Sequence, residues 1–181
     1  MKNKKQFSFL IMLVFLCTLM FSLDDREQAQ AKEFLKNGDE LYNAGKYTEA
    51  IVEYDKAIAS DPAYEDAYQN RGLAKYVLKN LDAAIVDFNQ VIQLNSENVD
   101  AYYNRGLCKY YQRNYPGAIS DFDKTIAKSA KDAEAYYMRG MAKTYVEDIE
   151  IGSACEDFER AKALGHGAAE NMIKRYCTPE E

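Results

Sequence analysis

Tryptophan is absent from this 181-residue chain, histidine occurs once (His166), and proline three times. A single imidazole leaves no histidine pair for a metal centre and little for His-based acid, base or nucleophilic chemistry. Three prolines and nine glycines are too few for a collagenous or loop-built chain, and 48% hydrophobic residues argue against disorder. Bases are scarce as well. The first 23 residues hold three lysines and no acid, so the rest of the chain carries 20 bases against 29 acids, a net of −9. That sign argues against a nucleic-acid partner, because neutralising phosphates needs a basic surface. No Gly-rich phosphate loop or metal motif is present, and His166 lies between Gly165 and Gly167, where a turn explains it. The sequence therefore predicts a non-enzyme with no catalytic residue, cofactor or metal. What is abundant is tyrosine, fifteen against eight phenylalanines. Tyrosine joins a flat apolar body to a polar tip and is favoured where proteins touch one another.

The N-terminus reads as an export signal. Residues 1–5 are basic, and Phe7 to Leu23 run almost wholly apolar. Seventeen residues at about 1.5 Å each span about 25 Å, a little less than a bilayer core, so 1–23 is either a removable signal peptide or a signal anchor whose membrane segment is 7–23. Leu16, before Cys17, lacks the small side chain that lipoprotein processing expects. Either way the lysines stay on the cytoplasmic side and the remainder is exported, into a bacterial-type envelope as a periplasmic, membrane-anchored or secreted protein. Residues 24–30 form a polar linker.

Aligned against itself, the rest repeats with a period of 34. Aromatics stand at Phe34, Tyr68, Tyr102 and Tyr136, and glycines at Gly38, Gly72, Gly106 and Gly140. Ala50, Ala84 and Ala118 follow on the same period, as do Tyr54, Phe88 and Phe122, while the fourth copy slips by two to Ala154 and Phe158. The i, i+4, i+7 spacing inside each copy is helical, with turn compositions between, so each copy is two helices. A two-helix unit cannot bury its apolar stripe alone, and neighbours must stack. The glycine at the eighth place reads as a close approach between paired helices, answered by the alanine at the twentieth. Arg71, Arg105 and Arg139 share one place, Lys75, Lys109 and Lys143 lie one turn on, and Asp87, Asp121 and Asp157 recur in the second helices. Repeat one has Asn37, Leu41 and Glu53 there. Cations and aspartate arriving together predict a structural ion ladder.

Phe34, Gly38, Ala50, Tyr54, Ala57 and Pro62 in the first copy, largely kept in the later ones, resemble the tetratricopeptide repeat (TPR) family. The resemblance implies an all-α, right-handed α-solenoid of about four helix-turn-helix units (31–64, 65–98, 99–132 and 133–168 within a domain 31–168), closed by a capping helix and tail, 169–181. It implies that first helices line a concave groove for a protein or peptide partner. The candidate groove residues are then Tyr42, Tyr76 and Tyr110 in one row, Tyr103 and Tyr137 in a second, and Tyr111 and Tyr145 in a third. Asn70 and Asn104 lie between them, and Asp66, Asp100 and Glu134 supply an acidic edge. Such a trough should prefer apolar or basic segments. Family members that bind chaperone tails use a lysine, asparagine and arginine clamp, whose places here hold Leu35, Asp39, Asn70, Asp100 and Asn104, with Asn70 alone matching. The expected function is an exported protein-interaction scaffold; the alternative is a periplasmic assembly factor or chaperone-like binder of unfolded apolar segments.

Cys108 takes a place filled by alanine in other copies and reads as a packing thiol. Cys155 and Cys177 are candidates for a disulfide pinning the cap, since an exported protein meets oxidising conditions. Cys155, His166 and Cys177 together offer three ligands at irregular spacing, a poor metal set.

Overall fold

A computed structural model describes residues 26–178. The leader 1–23 with its segment 7–23, the start of the linker and residues 179–181 lie outside the described residues. Among the described residues there are nine helices and no strand. They are α1 (26–43), α2 (Tyr47–Ser60), α3 (Glu65–Val77), α4 (Leu81–Leu94), α5 (Val99–Tyr111), α6 (Tyr115–Lys128), α7 (Ala133–Lys143), α8 (Ile151–Ala163) and α9 (Ala169–Tyr176). Residues 26–30, expected as linker, are the exposed opening turns of α1. No described helix is long and apolar enough to cross a membrane.

The chain divides into two compact units, one running to Ala67 and the other from Tyr68 onward. In the second unit each helix from α4 to α9 packs on its neighbours in the chain, and α5 also touches α7. This serial packing is what a stripe too wide for one partner requires. The buried residues fall on the repeat: Ala84, Ala118 and Ala154 with Phe88, Phe122 and Phe158, all fully buried. In the first unit Ala50 and Tyr54 hold the same places.

The periodic glycines are indeed close-approach positions, but the partner differs from the expected alanine. A Cβ on Gly106 would lie 2.8 Å from Cε1 of Phe122, one on Gly72 2.9 Å from Phe88, and one on Gly140 2.7 Å from Phe158. In the first unit Gly38 meets Tyr54 in the same way. The ring reaches back under the first helix because a side chain on a helix leans over the preceding turn, and at Gly140 the expected alanine place contributes as well, through Ala154 O at 3.2 Å. Gly106→Leu should therefore overpack the α5–α6 crossing and cost about 1–3 kcal/mol. An unchanged melting temperature would contradict that assignment.

First helices end in a shared way. Asn114 N–H donates to Lys109 O and Arg113 N–H to Tyr110 O, both at 2.9 Å, and Asn80 and Lys79 repeat the pattern at the end of α3. These paired bonds form the Schellman end of a helix, which needs a left-handed residue. Gly45 supplies it after α1, but Lys79 and Arg113 adopt φ of 63° and 62° with a Cβ attached. Arg113→Gly should raise stability by about 0.5–1 kcal/mol, the relief of left-handed strain less glycine's larger unfolded-state entropy; urea midpoints of the two proteins check it. Among the second helices α6 starts on both a side-chain and a proline signal, with Asn114 Oδ1 accepting from Gly117 N–H at 3.1 Å and Pro116 in its first turn, whereas α2, α4 and α8 start without a side-chain cap.

At the C-terminus α9 packs on α8, with Ala169 fully buried and the Tyr176 ring 6.4 Å from Phe158. The Cys155 and Cys177 sulfurs are joined, with Cα atoms 5.7 Å apart. Cys108 is buried and unpaired, and burial pushes its thiol up to about 12. Alkylation of the folded protein without reductant should therefore label none of these three cysteines, reductant should open Cys155 and Cys177, and Cys108 should react only on unfolding. Mass analysis reads all three states.

Candidate functional site

The ion ladder decides which way each first helix faces. Arg105 holds Asp121 through two bonds, Nε to Oδ2 at 2.9 Å and Nη2 to Oδ1 at 2.6 Å, and Lys109 Nζ adds a third at 2.7 Å. Arg139 and Lys143 hold Asp157 likewise, as Arg71 and Lys75 hold Asp87. All three aspartates are buried. Each guanidinium also sits over a tyrosine, Arg71 5.3 Å from Tyr68, Arg105 5.5 Å from Tyr102 and Arg139 5.4 Å from Tyr136. Arg105 Nη1 further donates to Asn89 at 2.6 Å and Arg139 Nη1 to Asp123 at 2.7 Å, reaching the preceding second helix. Burial acts to lower the Arg139 pKa, yet its bonds to Asp157 and Asp123 leave it above the ordinary arginine value. The cations of α3, α5 and α7 are thus consumed inside the stack. The opposite helix faces keep the phenols, amides and acids.

In the first unit Tyr42 is half-buried, its ring edge-on to Tyr47 at 5.1 Å. Asp66 is exposed in the first turn of α3. Asp39, at a place where a chaperone clamp would need a cation, accepts the Tyr54 hydroxyl at 2.9 Å.

In the second unit Asn70 and Asn104 are half-buried and Asp100 and Glu134 exposed. Tyr103 and Tyr137 are half-buried, packing against the cluster of Ala118, Phe122, Met138 and Ala142. Tyr103 lies 5.8 Å from the Phe122 ring and Tyr137 6.0 Å from Phe158. Burial first, then the carboxylates of Glu134 and Asp132, raise the Tyr103 pKa; burial and then Glu134 raise that of Tyr137. No hydrogen bond engages either hydroxyl, or Asp100 or Asn104, among the described residues.

The other tyrosines depart from the expected rows. Tyr76, Tyr110, Tyr111 and Tyr145 gather into one cluster together with Tyr115, which sequence reasoning had not chosen. Tyr111 lies 6.0 Å from Tyr76 of the preceding repeat, and Tyr145 stacks on Tyr115 at 4.6 Å and lies 6.2 Å from Tyr110. The reason is position: Tyr111 is the last residue of α5 and Tyr145 lies in the turn just after α7, where the chain folds back toward the next helix. Tyr111 and Tyr145 remain 53% and 51% exposed, so the cluster has an open outer side.

His166 sits where a turn residue is expected, following the left-handed Gly165 after α8. Yet its ring stacks on Tyr137 at 4.0 Å and its Nε2 lies 3.0 Å from Glu134 Oε2. Its separation from Glu134, 32 residues, close to one period, was the available signal.

The TPR repeat family model matches residues 38–79 and 74–112. A crystal structure of MamA is similar at 26% identity, covering 81% of each chain with a TM-score of 0.70. MamA from Desulfovibrio magneticus RS-1, residues 41 to the end, shares the fold at 19% identity, 81% of this chain and 93% of that one, TM-score 0.72. The first TPR domain of Spaghetti (RPAP3), bound to the HSP90 peptide SRMEEVD, is similar at 26% identity over 65% of this chain and 93% of that one, TM-score 0.63. No curated protein sequence matches. Period, packing and these likenesses together define the class: this chain is an all-α tetratricopeptide-repeat protein.

Proposed function

We propose that the chain is a non-catalytic interaction scaffold, exported or held at a membrane by 7–23, that binds a protein segment along the first-helix faces. One observation carries this reading. The fold spends its arginines and lysines on buried aspartates while Asp100, Asn104, Tyr103 and Tyr137 keep unengaged polar groups on the opposite faces. Phenols and amides hydrogen-bond an extended backbone without reading its sequence, and acids favour apolar or basic segments over carboxylate-rich ones. The RPAP3 domain holds an acidic peptide; with Leu35, Asp39, Asp100 and Asn104 at clamp places, such a ligand fits this chain poorly. Export rests on the basic start and apolar run of 1–23.

Crosslinking in the native envelope tests it. One saturable adduct that Tyr103→Ala with Asn104→Ala weakens is the expected result, and an adduct indifferent to both changes sinks the reading. The open side of the tyrosine cluster, where Tyr111 and Tyr145 are about half exposed, favours a second reading, an assembly factor that handles unfolded apolar segments. Many weak adducts, reduced by Tyr111→Ser with Tyr145→Ser, would select it.

A further inference from the structure

We infer that the face shared by α5 and α7 seats a cationic side chain of an extended segment, an arginine or lysine lying against Tyr103 and Tyr137 with its charge met by Asp100 and Glu134. The inference rests on the scaffold reading and names the chemistry its partner must bring.

The argument is one of charge and shape. Asp100 and Glu134 stand exposed in the first turns of α5 and α7, on the side that carries the two phenols. Asp132, the N-cap of α7, adds a third carboxylate, one oxygen of which accepts from Ala135 N–H at 2.9 Å. The nearest cations of these helices do not balance them, since Arg105 and Lys109 are committed to Asp121 and Arg139 and Lys143 to Asp157. An aromatic floor rimmed by uncompensated carboxylates attracts a cation twice over, through the ring faces and through the acids. The fold itself makes the first contact three times, with Arg71, Arg105 and Arg139 each over a tyrosine ring.

His166 fixes the geometry of this seat. Its Nδ1 is buried without a partner, so the ring proton belongs on Nε2, donated to Glu134 Oε2. That contact orients the Glu134 carboxyl through Oε2 and leaves Oε1 for a ligand. By stacking on Tyr137 it also closes one side of that ring. It is a positioning residue.

The test uses the full-length chain and two fluorescein-labelled probes, Gly-Ala-Arg-Gly-Ala-Arg-Gly and its twin with glutamine for both arginines, read by anisotropy at physiological salt. The arginine probe should bind about tenfold tighter, the worth of one charge-assisted contact. Asp100→Asn with Glu134→Gln should close that gap, and because both side chains are exposed the fold survives the change. Asp148→Asn, an exposed acid in the turn before α8, should leave the gap open. Equal binding of the twins, or a gap closed as far by Asp148→Asn, overturns the seat and leaves only bulk charge. Twins that bind equally and are both weakened by Tyr103→Ala overturn the cation seat while the scaffold reading stands. If neither probe binds and the envelope adduct ignores Tyr103 and Asn104, both fall.

Discussion

Asp121→Ala should destabilise the second unit by about 3 kcal/mol, measured by urea unfolding, although the side chain touches no ligand face. The carboxylate is buried and takes two bonds from Arg105 and one from Lys109. Removing it strands two cations that the helix packing does not release, and breaking a buried pair from one side costs about 3–5 kcal/mol. The low end applies because the Arg105 and Lys109 side chains keep 18% and 21% exposure, enough for water to reach their tips. The triple change Asp121→Leu, Arg105→Met, Lys109→Met separates this cause from lost packing: it should recover most of the loss, since a buried ion cluster can often be exchanged for apolar side chains of similar volume. No recovery would mean that the carboxylate acts through something other than these cations.

Phe122→Ala should cost about as much, about 3–5 kcal/mol, through an unrelated mechanism. The ring is fully buried, lies in a cluster with Ala118, Met138 and Ala142, supports Tyr103 at 5.8 Å, and fills the space that Gly106 leaves open. Its loss creates a cavity that glycine cannot fill from the facing helix. Adding Gly106→Ala should return part of the stability, because the new methyl occupies space no longer taken by the ring. A double variant no more stable than Phe122→Ala would separate the two positions that the crossing joins.

The architecture was legible because it is periodic. Gly72, Gly106 and Gly140 recur with the rings that cover them, and Arg105 recurs with Asp121, so a spacing in one dimension predicts a contact in three. That a ring, more than the alanine, faces each glycine is not legible in the period, because spacing says which helices meet, not how far along its axis a side chain leans. The phenols were harder. Places twelve and thirteen lie at or just beyond the ends of the first helices, so the surroundings of Tyr111 and Tyr145 depend on how the next turn folds back, which helical periodicity does not encode. The flanking glycines explain His166 as a turn residue without reference to any partner, yet the turn they make is what delivers its ring to Tyr137.

Arg105 bonds Asp121, 16 residues ahead, and Asn89, 16 residues behind, and Arg139 reaches back to Asp123 by the same interval. A chain from which residues 90–123 were excised would bring Arg139 to Asn89 across an identical interval. Whole periods can accordingly be added or removed with every guanidinium still finding a mate, while fractional insertions leave one unmatched. The length of the recognition face is thereby adjustable independently of the chemistry that holds its helices together.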